Sequence, residues 1–566
     1  MDWQRTGILA AAAVVALVLA KQWIGFSERY DAELATRIAA QQPQTATADD
    51  FSAQAPTNGD STDAPGGDNF VPEVTQATDP AAVTTTASAS GQTIEVITDV
   101  ARVLINPKGG DIVRVELLDI FKDLDSKQPF LLLSNDANQV YEAQSGLIGK
   151  NGTDQSSQRP VFASDKTQYT LSEGDDTMYV DLNYQQGDVA ITKRFTFERG
   201  DHAIDVEYII NNQSSEAWSG AMFGQVKRDN HQPPKTGAGF GVSPFLGAAI
   251  TTVDENYKKY KLEEIGELSA DKRRTEITGG WVAMVQHYFV SAWIPPQESN
   301  NLFTLRRQGE YNFLTFQTSE FVVPAGEKLN VKAVFYAGPK DVDRLEALAP
   351  HLDLTVDYGW LWWIAKPLFH LLDFIHGIIG SWGWSIVILT LIIKLIFFYP
   401  SAISYRSMAK MRKLQPMLAD LKERYGDDRQ KMSGELMKIY KKEKVNPFAG
   451  CLPMLIQMPV FISLYWMLME SVELRHAPFL GYIKDLSVMD PYFILPVLFG
   501  ITMFVQQKLQ PTPPDPMQAK IMQFLPIIFT VMFLFFPAGL VVYWVVNNTL
   551  SIAQQWVITR QIEKEA

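Results

Sequence analysis

The sequence predicts a polytopic α-helical membrane protein of six spans, with a large periplasmic all-β sandwich and a cytoplasmic helical hairpin. Three observations carry this expectation. Apolar runs crowd the last third of the chain, short alternating segments punctuated by Gly, Asn, Asp and Pro fill the stretch from Thr93 to Pro339, and charge divides between the two regions. Between Gly25 and Asp357 stand 28 Lys and Arg against 48 Asp and Glu, whereas the remainder has 22 against 15. An acidic, water-facing block therefore precedes a basic, membrane-embedded one. That balance, with the bases confined to one loop, argues against nucleic acid as a direct substrate. The single cysteine, Cys451, excludes an intrachain disulfide and a Cys-rich metal site.

In chain order, Arg5 precedes an apolar stretch from Thr6 to Ala20 that ends at Lys21. No convincing small-x-small site follows, so residues 1–25 read as an uncleaved signal anchor and first transmembrane helix rather than a removed signal. Residues 26–91 hold too few large apolar side chains to offset their ordering entropy, which predicts a flexible periplasmic tether. Residues 92–345 read as the periplasmic β-sandwich. Phe195 and Phe197, then Ile204, Val206, Tyr208 and Ile210, alternate across Arg199-Gly200-Asp201-His202 as a hairpin would, and Thr93–Thr98, Gly280–Trp293 and Leu329–Tyr336 are further extended runs. Residues 346–380 form a linker and an interfacial amphipathic helix, Tyr358–Gly377, whose aromatic residues cluster with Lys366, His370 and Asp373.

Residues 381–566 supply five more spans, at Trp384–Tyr399, Cys451–Met469, Tyr492–Gln507, Ile521–Phe536 and Leu540–Ile558. Orientation follows from the positive-inside rule. The loop 401–446 has 12 Lys and Arg against 6 acidic residues, and 471–490 has 2 against 3, so the former is cytoplasmic, both termini are cytoplasmic and the sandwich lies outside the inner membrane. Within the loop, Met408, Met411, Leu414, Leu418, Leu421 and Tyr425 recur at helical steps. Gly426-Asp427-Asp428 interrupts before Met432, Leu436, Ile439 and Tyr440 repeat the spacing. Self-packing of that apolar face explains most of the pattern, and a docking surface for cytoplasmic partners is the functional addition.

No enzyme signature survives inspection. Gly146-Leu147-Ile148-Gly149-Lys150 is too short for a phosphate-binding loop, and His370, Asp373 and His376 share a helix face without a fourth ligand, so neither a cofactor nor a metal is expected. The informative residue is Lys394, inside the apolar run Ser385–Pro400. A lysine at the centre of a span costs about 2.5 to 3.5 kcal/mol and usually faces a bundle interior or a wet cavity, although one near a helix end can snorkel to the headgroups. Thr390 shares its helix face one turn earlier, and Gln457, Asn547, Asn548 and Thr549 bring hydrogen-bonding groups into other spans. Together they predict a hydrated groove. Fourteen of the 18 methionines lie from Met408 onward, which suits either surfaces that accept varied apolar partners or the filling of membrane and hairpin cores.

The segments Ser407-Met408-Ala409-Lys410-Met411, Lys444-Val445-Asn446-Pro447, Gly450-Cys451-Leu452-Pro453, Ile456-Gln457-Met458-Pro459 and Asp515-Pro516-Met517 resemble those of the YidC family of bacterial membrane protein insertases. The order of anchor, tether, sandwich, interfacial helix, basic loop and closely spaced spans is similar to that of the Gram-negative members. The resemblance implies an insertase and chaperone for nascent membrane proteins, acting alone or with the Sec translocon, with the lipid bilayer and the ribosome as further partners. It also implies a hydrophilic groove open to cytoplasm and lipid, with a cationic residue usually written as Arg. Lys394 stands at that position and keeps the charge without the bidentate fork. Tyr543 and Trp544 fall where the family often has two tyrosines, which places both in the groove beside Lys394, Thr390, Gln457 and Asn547. Met458, Phe461, Tyr465, Phe529 and Phe533 are then the expected apolar path for the substrate. Two other classes compete: a solute transporter, which would show repeated halves, and a membrane-anchored periplasmic protein that binds or modifies carbohydrate through its sandwich.

Overall fold

The computed structural model describes residues 71–72 and 92–564, apart from 125–126, 138, 156–157, 232–243, 426–428, 444–451 and 511–515. The predicted signal anchor, and all of the predicted tether except Val71 and Pro72, fall outside the described residues, as does the Gly426–Asp428 interruption. The chain divides into Met1–Pro65 and Gly66–Ala566, and every described residue lies in the second unit.

Two antiparallel-rich sheets, of eleven and nine described strands, pack face to face as the expected sandwich. The hairpin read at 195–210 is present. Strand Val189–Glu198 pairs with Ala203–Asn212, Ile204 standing opposite Phe197, with Gly200 at φ +72° in the turn. Its buried residues alternate because one face meets the opposing sheet and the other meets water. The run Gly280–Trp293 is instead two strands, Val282–Val285 and Phe289–Ile294, paired across Gln286-His287-Tyr288. Alternation fails there because both faces are covered. Val282, Met284, Phe289 and Trp293 face the sandwich core, while Ala283, Val285, Val290, Ala292 and Ile294 join a second core built with the helices.

That second core begins at α1 (Val342–Leu348), capped by Asp341, whose carboxylate accepts from the Arg344 N–H at 3.0 Å. α2 (Trp362–Ile379) buries Ala365, Phe369, Leu372 and Ile375 against it and exposes Trp362, Trp363, Phe374 and Ile378. α3 (Trp382–Ile396) continues after a 67° bend as α4 (Phe398–Lys413). Pro400, without an N–H in the first turn of α4, cannot continue the ladder of α3. There follow α5 (Gln415–Tyr425), α6 (Arg429–Lys442), α7 (Leu452–Glu470), α8 (Ile494–Lys508), α9 (Pro516–Phe533) and α10 (Ala538–Lys564).

Four of the five runs read as spans overlap one helix each, and Trp384–Tyr399 crosses the break between α3 and α4. Among the described residues, however, no single helix is long and apolar enough to cross a membrane by itself, and α3 with α4 meets that test only as a bent pair. The loop also differs from the expected two-helix hairpin. Met408 and Met411 belong to α4, Leu414 lies at the junction, and Leu418, Leu421 and Tyr425 belong to α5. Met408 packs with Ala402, Tyr405 and Ile558, so it is spent on the α4–α10 contact rather than on a free hairpin face.

Candidate functional site

α3, α7 and α10 converge at Lys394. Its ammonium donates to the Gln457 Oε1 at 3.2 Å and to the Ser551 Oγ at 2.8 Å. The Gln457 amide group then donates through Nε2 to the Tyr543 Oη at 3.1 Å and to the Asn547 Oδ1. Ser551 in turn donates to the Asn547 carbonyl at 2.7 Å. Gln457 is thus used at both ends, which fixes the orientation of its amide: oxygen toward the cation, nitrogen toward the α10 acceptors. No charged group among the described residues neutralises Lys394.

Of the six side chains expected to line the groove, four are assembled here: Lys394, Gln457, Tyr543 and Asn547. Thr390 is only 1% exposed and its hydroxyl donates to the Ile386 carbonyl of its own helix at 2.7 Å, outside this network. Trp544 points elsewhere. Its ring lies 4.7 Å from that of Phe461, 5.9 Å from Phe499 and 5.8 Å from Phe533, and its indole N–H finds no acceptor among the described residues. Adjacent helical residues are about 100° apart, so when Tyr543 faces Gln457 its neighbour must face the aromatic cluster.

The expected apolar path divides similarly. Met458, next to Gln457, is 47% exposed. Phe461 and Tyr465 are half-buried, their rings 6.4 Å apart, Phe529 is half-buried and Phe533 is buried against Phe499. The outward face of α9 is made by Ile521, Phe524, Ile527, Ile528 and Val531 instead. In the hairpin, Met417, Tyr425 and Met437 are exposed.

Ser551 was not expected from the sequence. Its signal is a four-residue spacing along α10, Tyr543, Asn547, Ser551 and Gln555, all buried. A second unforeseen feature joins the two cores. Lys340 at the end of the last strand forms an ion pair of 2.8 Å with Glu470 at the end of α7, with side chains 2% and 4% exposed.

Two family models match the chain: "YidC periplasmic domain" over residues 93–371 and "60Kd inner membrane protein" over residues 374–565. The membrane protein insertase YidC of Cellvibrio japonicus is 55% identical over 567 residues, covering 100% of this chain and 99% of the relative. That of Saccharophagus degradans is 52% identical, covering 100% of both. A solved structure described as an active YidC insertase with its first transmembrane domain resolved aligns with 82% of this chain and 92% of its own, at 19% identity and a TM-score of 0.37. Fold and matches together define an inner-membrane protein with a periplasmic β domain. The chain belongs to the YidC family of membrane protein insertases.

Proposed function

We propose that this chain inserts nascent membrane proteins into the inner membrane by holding their hydrophilic tails transiently at Lys394. Support comes from one observation above the rest. Lys394 is held by two neutral acceptors, Gln457 and Ser551, leaving a third Nζ–H of its ammonium without a carboxylate among the described residues. An acidic group arriving within 4 Å would gain around 4 kcal/mol at an effective dielectric of 20, before desolvation offsets much of it. That suffices to lower a crossing barrier and still permits release. The apolar segment of the substrate partitions past Met458 and the outer face of α9 into lipid, each buried CH₂ contributing about 0.8 kcal/mol. Membrane potential adds about 2.3 kcal/mol per charge per 100 mV.

In this reading the chain crosses the membrane six times with both termini cytoplasmic, the basic α4–α6 region faces the ribosome, and the Sec translocon is the partner for larger substrates. The test places a photo-crosslinker at position 458 and asks whether ribosome-held chains of a short membrane protein attach to it, with and without Lys394→Ala. Adducts that move along the nascent chain as it lengthens, with insertion lost in Lys394→Ala, are expected. Unchanged insertion of every substrate by that variant would overturn the electrostatic step.

A further inference from the structure

One end of the eleven-stranded sheet is buried on the face that looks away from the sandwich core. In strands Val140–Ile148 and Trp218–Arg228, Ile148 stands opposite Ala221 and Gly146 opposite Phe223. Side chains alternate between the two faces along a strand, and Leu147 and Met222, which stand between these residues, belong to the sandwich core. Ile148, Ala221 and Phe223 therefore point outward, where alternation predicts contact with water. They are nevertheless 2%, 0% and 0% exposed. Part of their cover comes from the stretch read as a tether: Val71, itself 2% exposed, completes an apolar cluster with these three residues, separate from the sandwich core.

The floor of this pocket is fixed. Gly146 has no Cβ, and one placed there would stand 2.6 Å from the Phe223 ring and 2.5 Å from the Asp154 carboxyl carbon. Asp154 is held by Arg159 at 2.6 Å, and the Arg159 guanidinium lies 5.8 Å from the centre of the Phe223 ring. Further along the same face the strands turn polar, with Gln225 donating to Gln144 at 2.7 Å and Lys227 paired with Glu142 at 3.4 Å. Those groups already partner one another, so the apolar end is where an arriving side chain gains most. The tether supplies such side chains in one place. Of its five large apolar residues between Ala39 and Gly91, namely Phe51, Phe70, Val71, Val74 and Val83, three fall within Phe70–Val74. A residue before proline is biased to extended backbone, so Val71, followed by Pro72, has less conformational freedom to lose on docking.

We propose that Ile148, Ala221 and Phe223 form a docking site for a short, extended apolar peptide, and that its resident ligand is the chain's own Val71-Pro72. One buried valine binds weakly from free solution. A segment joined to Ile94 through residues 73–93 is present at an effective concentration of about millimolar, which keeps the site filled and the ligand exchangeable. The stretch 26–91 is then two pieces on either side of a dock, and the sandwich's lead toward the N-terminus begins at Val71 rather than at Ile94. The site is independent of Lys394 and of the insertion step.

The test uses the full chain and two readouts. In the first, a small aliphatic diazirine amino acid replaces Val71 in chains held in the membrane, and the adducts formed on irradiation are mapped by mass spectrometry. Adducts within one chain, to the strand segments that carry Ile148 or Ala221 and Phe223, are expected. Adducts that join two chains, or that stay within residues 26–91, would overturn the proposal, as would their absence. In the second, a labelled synthetic peptide of residues 66–78 is titrated into the solubilised full chain and its fluorescence anisotropy is followed. Val71→Asp removes the resident ligand without altering either sheet, and an unchanged thermal unfolding midpoint confirms that the sandwich is intact. The peptide should bind the Val71→Asp chain at about tenfold lower concentration than wild type, and the same peptide carrying the Val71→Asp change should bind neither. Equal binding to both chains would show that the peptide goes elsewhere, and binding to neither would show that the pocket is packing rather than a site. Either result overturns the proposal, and the adduct map decides it even if Val71→Asp fails to fold.

Discussion

Two inward-facing lysines, one fully buried in the sandwich and one half-buried among the helices, are treated in opposite ways. Lys193 donates to the carbonyls of Gly109, Gly110 and Ser145 at 2.9, 2.8 and 3.2 Å, which uses all three of its protons. Asp111 and Asp154 balance it together with Arg159, which donates to Asp111 at 2.8 and 3.0 Å and to Asp154 at 2.6 Å. Burial pulls the Lys193 ammonium down to about 7 while Asp111 opposes the shift. Lys394 has two neutral acceptors and no carboxylate. A saturated, neutralised lysine ties two sheets together. On the proposed mechanism, one left short of partners in an apolar bundle is held for a substrate that arrives.

The largest effect should follow from breaking the saturated site. Lys193→Met leaves three buried carbonyls without their donor and Asp111 with one cation fewer, a loss of about 3 to 5 kcal/mol by analogy with broken buried pairs. Thermal unfolding of the full chain followed by sheet-sensitive circular dichroism should show it, with insertion by the remaining folded molecules unchanged. If Lys193→Met were as stable as wild type, the contrast between the two lysines would disappear.

Next in size is a change that gives Lys394 what Lys193 already has. Gln457→Glu supplies a carboxylate at the Gln457 oxygen, 3.2 Å from the ammonium in the native chain, while Tyr543 and Asn547 can turn their own donors toward it. Stability should hold or rise, and insertion of substrates with acidic tails should fall as far as in Lys394→Ala, since the charge is already answered. An insertion assay over tails of graded charge checks this, and full activity with acidic tails would show that the free charge on Lys394 is not what the site uses.

A smaller effect sharpens the comparison at the junction between the two regions. His287 has its folded value pulled down to about 4 from an ordinary 6.5, mainly by burial. Between those values the unfolded chain binds the proton and the folded one does not. Its contribution is therefore intact above about 6.5 and is lost as pH falls through 4. Burial pushes the Glu473 carboxyl the other way, up to about 7, with Asp341, Asp373 and Asp343 adding to it, so its contribution is present below 4.5 and lost as pH rises through 7. His287 donates through Nε2 to the Met469 carbonyl at 2.9 Å, and His287→Gln keeps a donor there and cannot titrate. Its unfolding midpoint should match wild type at pH 7 and exceed it at pH 4.5, and identical slopes would show that His287 is not buried as described.

What the sequence made legible follows the same division. The hairpin at 195–210 could be read with its turn because one face meets water and alternation survives, whereas 280–293 could be read only as one extended run, because helices cover the second face of its two strands. Lys394 announced itself by its cost in an apolar run, and Gln457 and Asn547 by their rarity there. Trp544 lies outside the Lys394 network and among Phe461, Phe499 and Phe533, because a resemblance assigns a position without its direction around the helix. Lys340 and Glu470 gave no signal, being 130 residues apart and each ordinary in its local context.

Ser551 was overlooked because serine in an apolar helix usually does no more than bond its own preceding turn, as this one also does toward Asn547. The smallest effect is expected there. Ser551→Ala removes one neutral acceptor from Lys394, worth about 1 kcal/mol, and leaves Gln457 in place. If the comparison holds, losing a holder should cost less than supplying a carboxylate: insertion should drop roughly fivefold or less, equally for acidic and neutral tails, because the position of the ammonium loosens while its charge survives. Gln457→Glu should discriminate between those tails and Ser551→Ala should not. A Ser551→Ala defect confined to acidic tails would mean that the hydroxyl belongs to the substrate contact itself, and the partition into held lysine and holding neighbours would have to be redrawn.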